Sequence, residues 1–456
     1  MKDRSDLTPK EINRDLLDFP LHKPLWFFGV SLVFVTFITA GLVTAGFLIM
    51  VGVGVMGIDR PAMWAFLITN FVFWVGISHA GVMISAILRL VHAEWRRPVT
   101  RAAEVLTVFS LATAATFPFL HTGRQWRTMY WAFPYDFWRG VWPDVRSPLI
   151  WDPSAIFTYL TGSTLFLYVA LLPDLAVARE YAKGTMRKVY AVLSLGFRGT
   201  TRQWRLQALA GILLSALILP VFVSVHSIVS WDFAVALVPG WHSTVFAPYF
   251  VAGAVHSGVS AVATIMALMR RLFRLEKYIT PDHFDAIGRL LIPVVCGWLY
   301  FWWMDFYFGI YSRATDEVAV QFSRTFVYPY NVLTPIFLLA GFFIPVPLFL
   351  FRRVRRNITA MLWLTLLVNV GMWLERFIII VPALTYKQPF SFSWTAFSPT
   401  WADWLMTLWA FGLVLLGVLL FAKFFPIIPL YDIKEGQTIK AEVQIGRVKV
   451  PAVVRE

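Results

Sequence analysis

The chain has 456 residues, of which 58% are hydrophobic, 17% aromatic and only 14% charged, with a mean hydropathy of +0.66. This composition excludes an ordinary soluble globular protein and defines a polytopic membrane protein. The formal net charge of +14 would suit nucleic acid, but the basic residues are spread over short loops between apolar runs, as membrane topology requires, so no nucleic-acid partner is expected.

The segment from Met1 to Lys23 is polar and charged. The apolar run beyond it is about twice a signal-peptide core, so no cleavable signal peptide is expected. Ten spans then follow, each near the roughly 20 residues that cross about 30 Å of hydrocarbon. They are placed at 25–55, 61–93, 101–119, 153–178, 204–230, 247–273, 283–310, 330–351, 357–383 and 401–426. Pro220 in the fifth and Pro335 in the eighth predict kinks.

A short internal repeat relates the second and sixth spans: Ile77-Ser-His79-Ala-Gly-Val in one, Val255-His256-Ser-Gly-Val in the other. The interval of four spans fits a parallel duplication. The fold class expected is therefore an all-α polytopic membrane protein of two four-helix bundles plus two peripheral helices. Its segments are a cytoplasmic N-terminal stretch (1–24), a peripheral first helix (25–60), a first bundle (61–230) with an outer loop at 120–152, a second bundle (231–383), a peripheral tenth helix (384–426) and a cytoplasmic tail (427–456). In the tail, the alternation from Ile439 to Ile445 and the following Val-Lys-Val predict a short strand able to pair with a partner.

Of the 40 Lys and Arg residues, 31 fall on the side holding both termini and 8 on the other, with Arg376 inside a span. The positive-inside rule makes the termini cytoplasmic. The stretch from Phe119 to Ser154 is then on the outer side. It carries four Arg and five Trp, too polar for hydrocarbon and too aromatic for water, and is expected at the membrane surface. His121 closes one helix, and Asp152 in Trp-Asp-Pro-Ser reads as the N-cap of the next, with Pro153 at the first helical position. A titratable pair under an aromatic cover suits oxidation of a lipid-soluble molecule with release of its protons. Trp151 and its neighbours could roof a flat head group or form only an interfacial belt, and Arg124 could dock an acidic partner or anchor lipid phosphate.

Ionisable residues within spans cost roughly 2.5–3.5 kcal/mol each at the helix centre, so each needs a partner or a purpose. His79 and His256 are central and could face each other across a bundle as haem ligands, although a hydrogen-bonded core histidine is the simpler reading. Glu375 and Arg376 point about 100° apart on one helix and are expected to pair with other helices rather than with each other. Together with Asp305, Glu104 and Asp174 they are candidates for proton transfer or for structural pairing. The single cysteine, Cys296, leaves no disulfide, no Cys-ligated iron–sulfur cluster and no covalent c-type haem in this chain.

Four pieces carry a resemblance: VHSIVSWDFAVALVPGWHSTVFAPYFVAGAVHSG from Val225, WVGISHAGVMISAILRL from Trp74, HTGRQW from His121 and WDPSA from Trp151. They resemble the NrfD/polysulfide-reductase-like membrane subunits, most closely the ActC branch of bacterial alternative complex III. The resemblance covers most of the ten spans and implies two four-helix bundles, no cofactor of the chain's own, and a quinol site near the outer face beside an iron–sulfur subunit. It implies His121 and Asp152 as quinol ligands, menaquinol or another quinol as substrate, and electrons passed on to c-type cytochrome subunits. A paralogous ActF-like membrane subunit is a further implied partner. ActF itself shares the fold without quinol oxidation, and a secondary transporter is the competing class, for which inverted repeats and broken midplane helices would be expected. Proton coupling through Asp174, Glu104, His79, His256 and Glu375 is a hypothesis that the spans supply residues for. The charge asymmetry predicts that reporters fused at Met1 and at Glu456 both read as cytoplasmic; a periplasmic signal from either would require an odd number of spans.

Overall fold

The computed structural model describes residues 7–22, 24–57, 64–121, 123, 125–127, 148–385, 397–440, 442–445 and 448–451. Ten of its helices are long and apolar enough to cross a membrane: Leu25–Val51, Ala65–Leu90, Thr100–His121, Ile150–Tyr181, Thr201–Ala234, Phe246–Leu272, Pro281–Tyr311, Tyr330–Leu350, Ile358–Thr385 and Trp401–Phe424. They are numbered here as the first to tenth spans. The chain is a multi-pass, essentially all-helical integral membrane protein.

The second and sixth spans, which carry the repeated histidine motif, are almost wholly buried and pack on each other. Their crossing is made by small residues: a side chain at Gly76 would touch Ala254 and Ser257. The second span also packs on the third, and the fourth on the fifth, while the sixth gathers the seventh and ninth and the ninth packs on the eighth. The first span exposes most of its surface, as a peripheral helix should. The tenth differs from expectation. It is wedged between the first span and the third, and most of its apolar surface is covered by protein.

Hydroxyl and amide side chains tie the spans together where apolar contact alone gives little attraction in lipid. The Ser78 carbonyl accepts from Thr107 at 2.6 Å and Tyr159 at 3.0 Å, joining spans two, three and four. Asn70 donates to Thr407 and accepts from Trp373, both at 2.9 Å, joining spans two, nine and ten. Thr264 and Thr365 meet at 2.8 Å between spans six and nine.

The helix runs on through Pro220. In the eighth span, Pro335 is followed by a π-helical turn at Leu339–Phe343, a local rewinding of the kind that a missing hydrogen bond permits. A second π-helical turn, Met83–Ile87, interrupts the second span.

On the face bearing both termini, a helix at Pro9–Leu21 starts from a Thr8 capping box, and its end is held by Lys423, whose ammonium donates to the carbonyls of Phe19, Pro20 and His22. After the tenth span the tail folds as a helix, Leu430–Lys440, and then a hairpin of Glu442–Ile445 with Val448–Pro451. The strand expected from Ile439 therefore begins at Glu442 and pairs within the tail. The helix prevails upstream because the Asp174 carboxylate accepts the backbone N–H groups of Leu430 (3.2 Å) and Tyr431 (3.1 Å), capping its start from another span. Arg97 then clamps it through Glu435 at 2.6 Å and the Asp432 carbonyl at 2.9 Å. Burial disfavours the charge on Arg97, but the bonds to Glu94 and Glu435 outweigh it and hold its pKa above the ordinary value.

Spans eight and nine approach closely at Gly371, where an added Cβ would lie 2.9 Å from the Gly341 nitrogen and 3.0 Å from the Ala340 side chain. Gly371→Val should therefore cost about 1–3 kcal/mol by overpacking, seen as a lower thermal midpoint in detergent. An unchanged midpoint would show that the two helices are free to part.

Candidate functional site

On the face opposite the termini, two sets of buried polar side chains stand at helix ends: His121 with Gln125, and Asp152 with Asp232. The third span breaks after Ala114 and resumes as Phe117–His121, which sets His121 between Trp64 and Phe71, with ring centroids 6.2 and 6.3 Å away. Its Nδ1 is buried without a hydrogen-bond partner among the described residues. One turn on, in the 3-10 turn Gln125–Arg127, both polar atoms of the Gln125 amide are likewise buried and unpartnered.

Asp152 does not cap its helix. The helix begins at Pro148, itself a good starting residue, so Asp152 lies inside it and Pro153 occupies an interior position. The carboxyl is consequently held on the helix flank, where it is buried and lies within hydrogen-bonding reach of Asp232 at the end of the fifth span. Two carboxyls can be joined only through a proton carried by one of them. Each keeps a second oxygen, Oδ1, that is buried and unpartnered. Beside them Trp151 and Trp231 meet edge to face, centroids 6.2 Å apart. Two Trp-Asp dipeptides, one entering the membrane and one leaving it, thus form one unit.

Asp232 and Gln125 are not singled out by sequence reasoning, although both lie within the motifs that carry the resemblance. The duplicated Trp-Asp was the available signal. Arg124 and the tryptophans between 131 and 142 lie outside the described residues.

The central histidines do not face each other. His79 meets His226 of the fifth span, centroids 4.7 Å apart, while its Nδ1 lies 2.5 Å from the Val75 carbonyl and its Nε2 3.0 Å from that of Phe222. His226 was not singled out from sequence; both of its ring nitrogens are buried and unpartnered. The His256 ring lies tilted against Trp298, centroids 5.3 Å apart, and the Trp298 indole N–H reaches Glu375 at 3.3 Å.

Glu375 and Arg376 do approach each other, at 3.4 Å, contrary to expectation. The long guanidinium stem folds back along the helix, and Arg376 also lies over the Phe250 ring at 4.8 Å. Asp305 faces Arg324 at 3.6 Å. Arg324 belongs to a surface helix, Thr315–Phe326, and burial pulls its pKa below the ordinary value while Asp305 opposes that fall. Nearer the termini, Arg101 bridges Asp174 at 3.0 Å and Glu104 at 3.9 Å, and Ser85, in the π-helical turn of the second span, donates to Glu104. Among the described residues no group of three or more His, Cys, Asp or Glu side chains is arranged to hold a metal ion.

The bundle turns its polar groups inward, and titratable side chains stand at helix ends on the face opposite the termini. Residues 54–387 match the polysulphide reductase NrfD family, and the chain belongs to that family. Its members are quinone-interacting membrane subunits of redox complexes, linked to iron–sulfur, molybdoenzyme-like subunits. A protein of Halobacterium salinarum, provisionally named as a membrane subunit of dimethyl sulfoxide reductase, is 25% identical over 238 residues. That match covers 52% of this chain and 49% of the relative, about half its length.

If Asp152 and Asp232 share one proton, the infrared spectrum should contain a protonated-carboxyl C=O band that shifts in D₂O, and Asp152→Asn and Asp232→Asn should each remove the same band. Loss of the band in only one variant would show that the two carboxyls titrate separately.

Proposed function

We propose that this chain is the quinol-binding and quinol-oxidising membrane subunit of a respiratory or photosynthetic complex of the alternative complex III type. It would sit in the bacterial cytoplasmic membrane with both termini in the cytoplasm. The observation that carries this reading is the Asp152–Asp232 carboxyl pair beside the Trp151–Trp231 pair, each carboxyl keeping a buried Oδ1 without a partner among the described residues, with His121 Nδ1 and the Gln125 amide likewise unpartnered at a helix end on the same face. Apart from protein, a ligand with two hydroxyl groups and a flat apolar ring is what such a cluster suits: the acceptors take the hydroxyl protons and the indoles cover the ring.

Oxidation of a quinol gives a quinone, two protons and two electrons. A neutral quinol is a weak reductant until a hydroxyl proton leaves, so each hydroxyl needs an acceptor within about 2.6–3.2 Å. His121 offers Nδ1 as the first acceptor, and Asp152 anchors the second hydroxyl. Asp232 gives the Asp152 proton somewhere to go, because the pair already shares one. The protons leave on the outer side. The electrons pass to an iron–sulfur subunit docked there and onward to c-type cytochrome subunits, with an ActF-like paralogue beside this chain in the bilayer. Menaquinol is the quinol that the ActC resemblance favours. Proton translocation would draw on the interior groups: Glu104 and Asp174 near the cytoplasm, His79 and His256 at the centre, and Glu375, Arg376 and Asp305 toward the outside.

His121→Ala and Asp152→Asn, assayed in the assembled complex, should each lower quinol:acceptor turnover by roughly 10²-fold or more. Assembly should survive, since both residues lie at helix ends. Wild-type turnover in either assembled variant across about pH 5 to 8, the range in which an imidazole changes charge, would replace this reading with that of an ActF-like, non-oxidising subunit.

A further inference from the structure

A small, partly open cavity of about 20 Å³ lies among spans six, seven, eight and nine and the surface helix Thr315–Phe326. Its polar lining is Tyr249, Asp305, Gln321, Arg324, Thr325, Thr334 and Glu375. One water molecule needs about 10–15 Å³ of such space and two to four polar partners. The polar partners are present. The Tyr249 hydroxyl, the Glu375 Oε2 and the Arg324 Nε are all buried and make no well-aligned hydrogen bond among the described residues, although the Tyr249 hydroxyl stands beside the Glu375 carboxyl. Two of these atoms donate and one accepts, and the Asp305 carboxylate across the cavity supplies the second acceptor.

We propose that this cavity is a hydration site whose single ordered water accepts from Tyr249 and Arg324, donates to Glu375 and Asp305, and relays protons between those two carboxyls. The surrounding contacts fix the four groups in place. Glu375 is held through Oε1 by the Trp298 indole at 3.3 Å, and Arg376 Nε lies 3.4 Å from Oε2. Arg324 is pinned by the carbonyls of Gly240 at 2.7 Å and Ile379 at 2.8 Å. Asp305 lies beside the Ser243 hydroxyl and the Gln321 amide. The remaining charged group facing Arg324 is Glu317, which accepts from the Gly240 N–H at 2.9 Å. Trp302, Phe306 and Phe337 wall the cavity off from lipid.

In the relay Glu375, once protonated, turns from acceptor to donor at the water in place of Tyr249, which turns to the Glu375 carboxyl; the Glu375 proton passes to the water oxygen while another hydrogen of that water passes to Asp305. The water is regenerated, only O–H bonds break and form, and no electron moves. Tyr249 stays neutral as a donor. From Asp305 the proton leaves past Ser243 on the face opposite the termini. The route lies in the other bundle from His121 and Asp152. It deepens the proton-translocation part of the proposed function and rests on that part alone.

The test uses the intact complex in lipid nanodiscs for electron cryo-microscopy and in liposomes for proton release. The map should show a peak within hydrogen-bonding distance of Tyr249 Oη, Glu375 Oε2 and Arg324 Nε. Tyr249→Phe should leave uncoupled quinol turnover unchanged while lowering the protons released per electron at least about twofold. Asp305→Asn should lower the same ratio, and Asp305→Glu should restore it. Side chains closed over the cavity with no peak, a wild-type ratio in both Tyr249→Phe and Asp305→Asn, or a wild-type complex that releases only the protons of quinol itself would each overturn the relay. Should the His121 and Asp152 variants keep full turnover while Asp305→Asn still lowers the ratio, the quinol-site reading fails and the relay stands.

Discussion

Hydrocarbon cannot hydrogen-bond, and everything else in this molecule follows from that constraint. Every backbone group within the bilayer must be satisfied by helix geometry, and every polar side chain by another one or by an enclosed ligand. The spans accordingly turn their hydroxyls, amides and ion pairs inward. Asn70, Ser78 and Thr264 act as fasteners between helices. Arg101 and Asp174 neutralise each other and at the same time tie the carboxyl-terminal helix to the bundle. Buried atoms without a hydrogen-bond partner among the described residues remain on several spans; those of His121, Gln125, Asp152 and Asp232 lie toward the face opposite the termini, and others are on the His226 and His256 rings and on Glu375.

The fold was largely legible because its signal is simple. Apolar runs of spanning length, separated by basic loops, locate ten helices within a few residues, and the repeated His-x-Gly-Val motif marks the two spans that become the buried centre. The misreadings have local causes. Asp152 followed by Pro153 imitates a helix start, but Pro148 is an equally good start one turn earlier, and nothing in the intervening Leu149-Ile150-Trp151 opposes extension. The tail between Leu430 and Lys440 alternates weakly, and its helicity depends on Asp174, 256 residues upstream, which no local pattern could disclose. The burial of the tenth span likewise depends on which neighbours it finds.

The candidate site was half legible. His121 and Asp152 are visible as polar residues at the ends of apolar runs. Their companions were hidden for opposite reasons: Gln125 carries no charge to attract notice, and Asp232 sits where a loop was expected to be solvated. His226 was passed over because the repeat drew attention to His79 and His256, whereas packing sets His79 against His226. Side-chain pairing across helices depends on rotation about each helix axis, and the sequence of one chain specifies that only through the sum of its contacts.

The resulting picture separates two tasks in space. His121, Asp152 and Asp232 stand with the Trp151 and Trp231 indoles toward one membrane face, and Glu375 and Asp305 are buried apart from them on spans nine and seven. The claim on which this rests is that His121 and Asp152 hold a quinol ring. The most direct measurement is a structure of the intact complex with quinone bound. The account predicts one ring oxygen within about 2.6–3.2 Å of His121 Nδ1 and the other at the Asp152 carboxyl. A quinone bound elsewhere, with His121 and Asp152 satisfied by protein side chains, would contradict it.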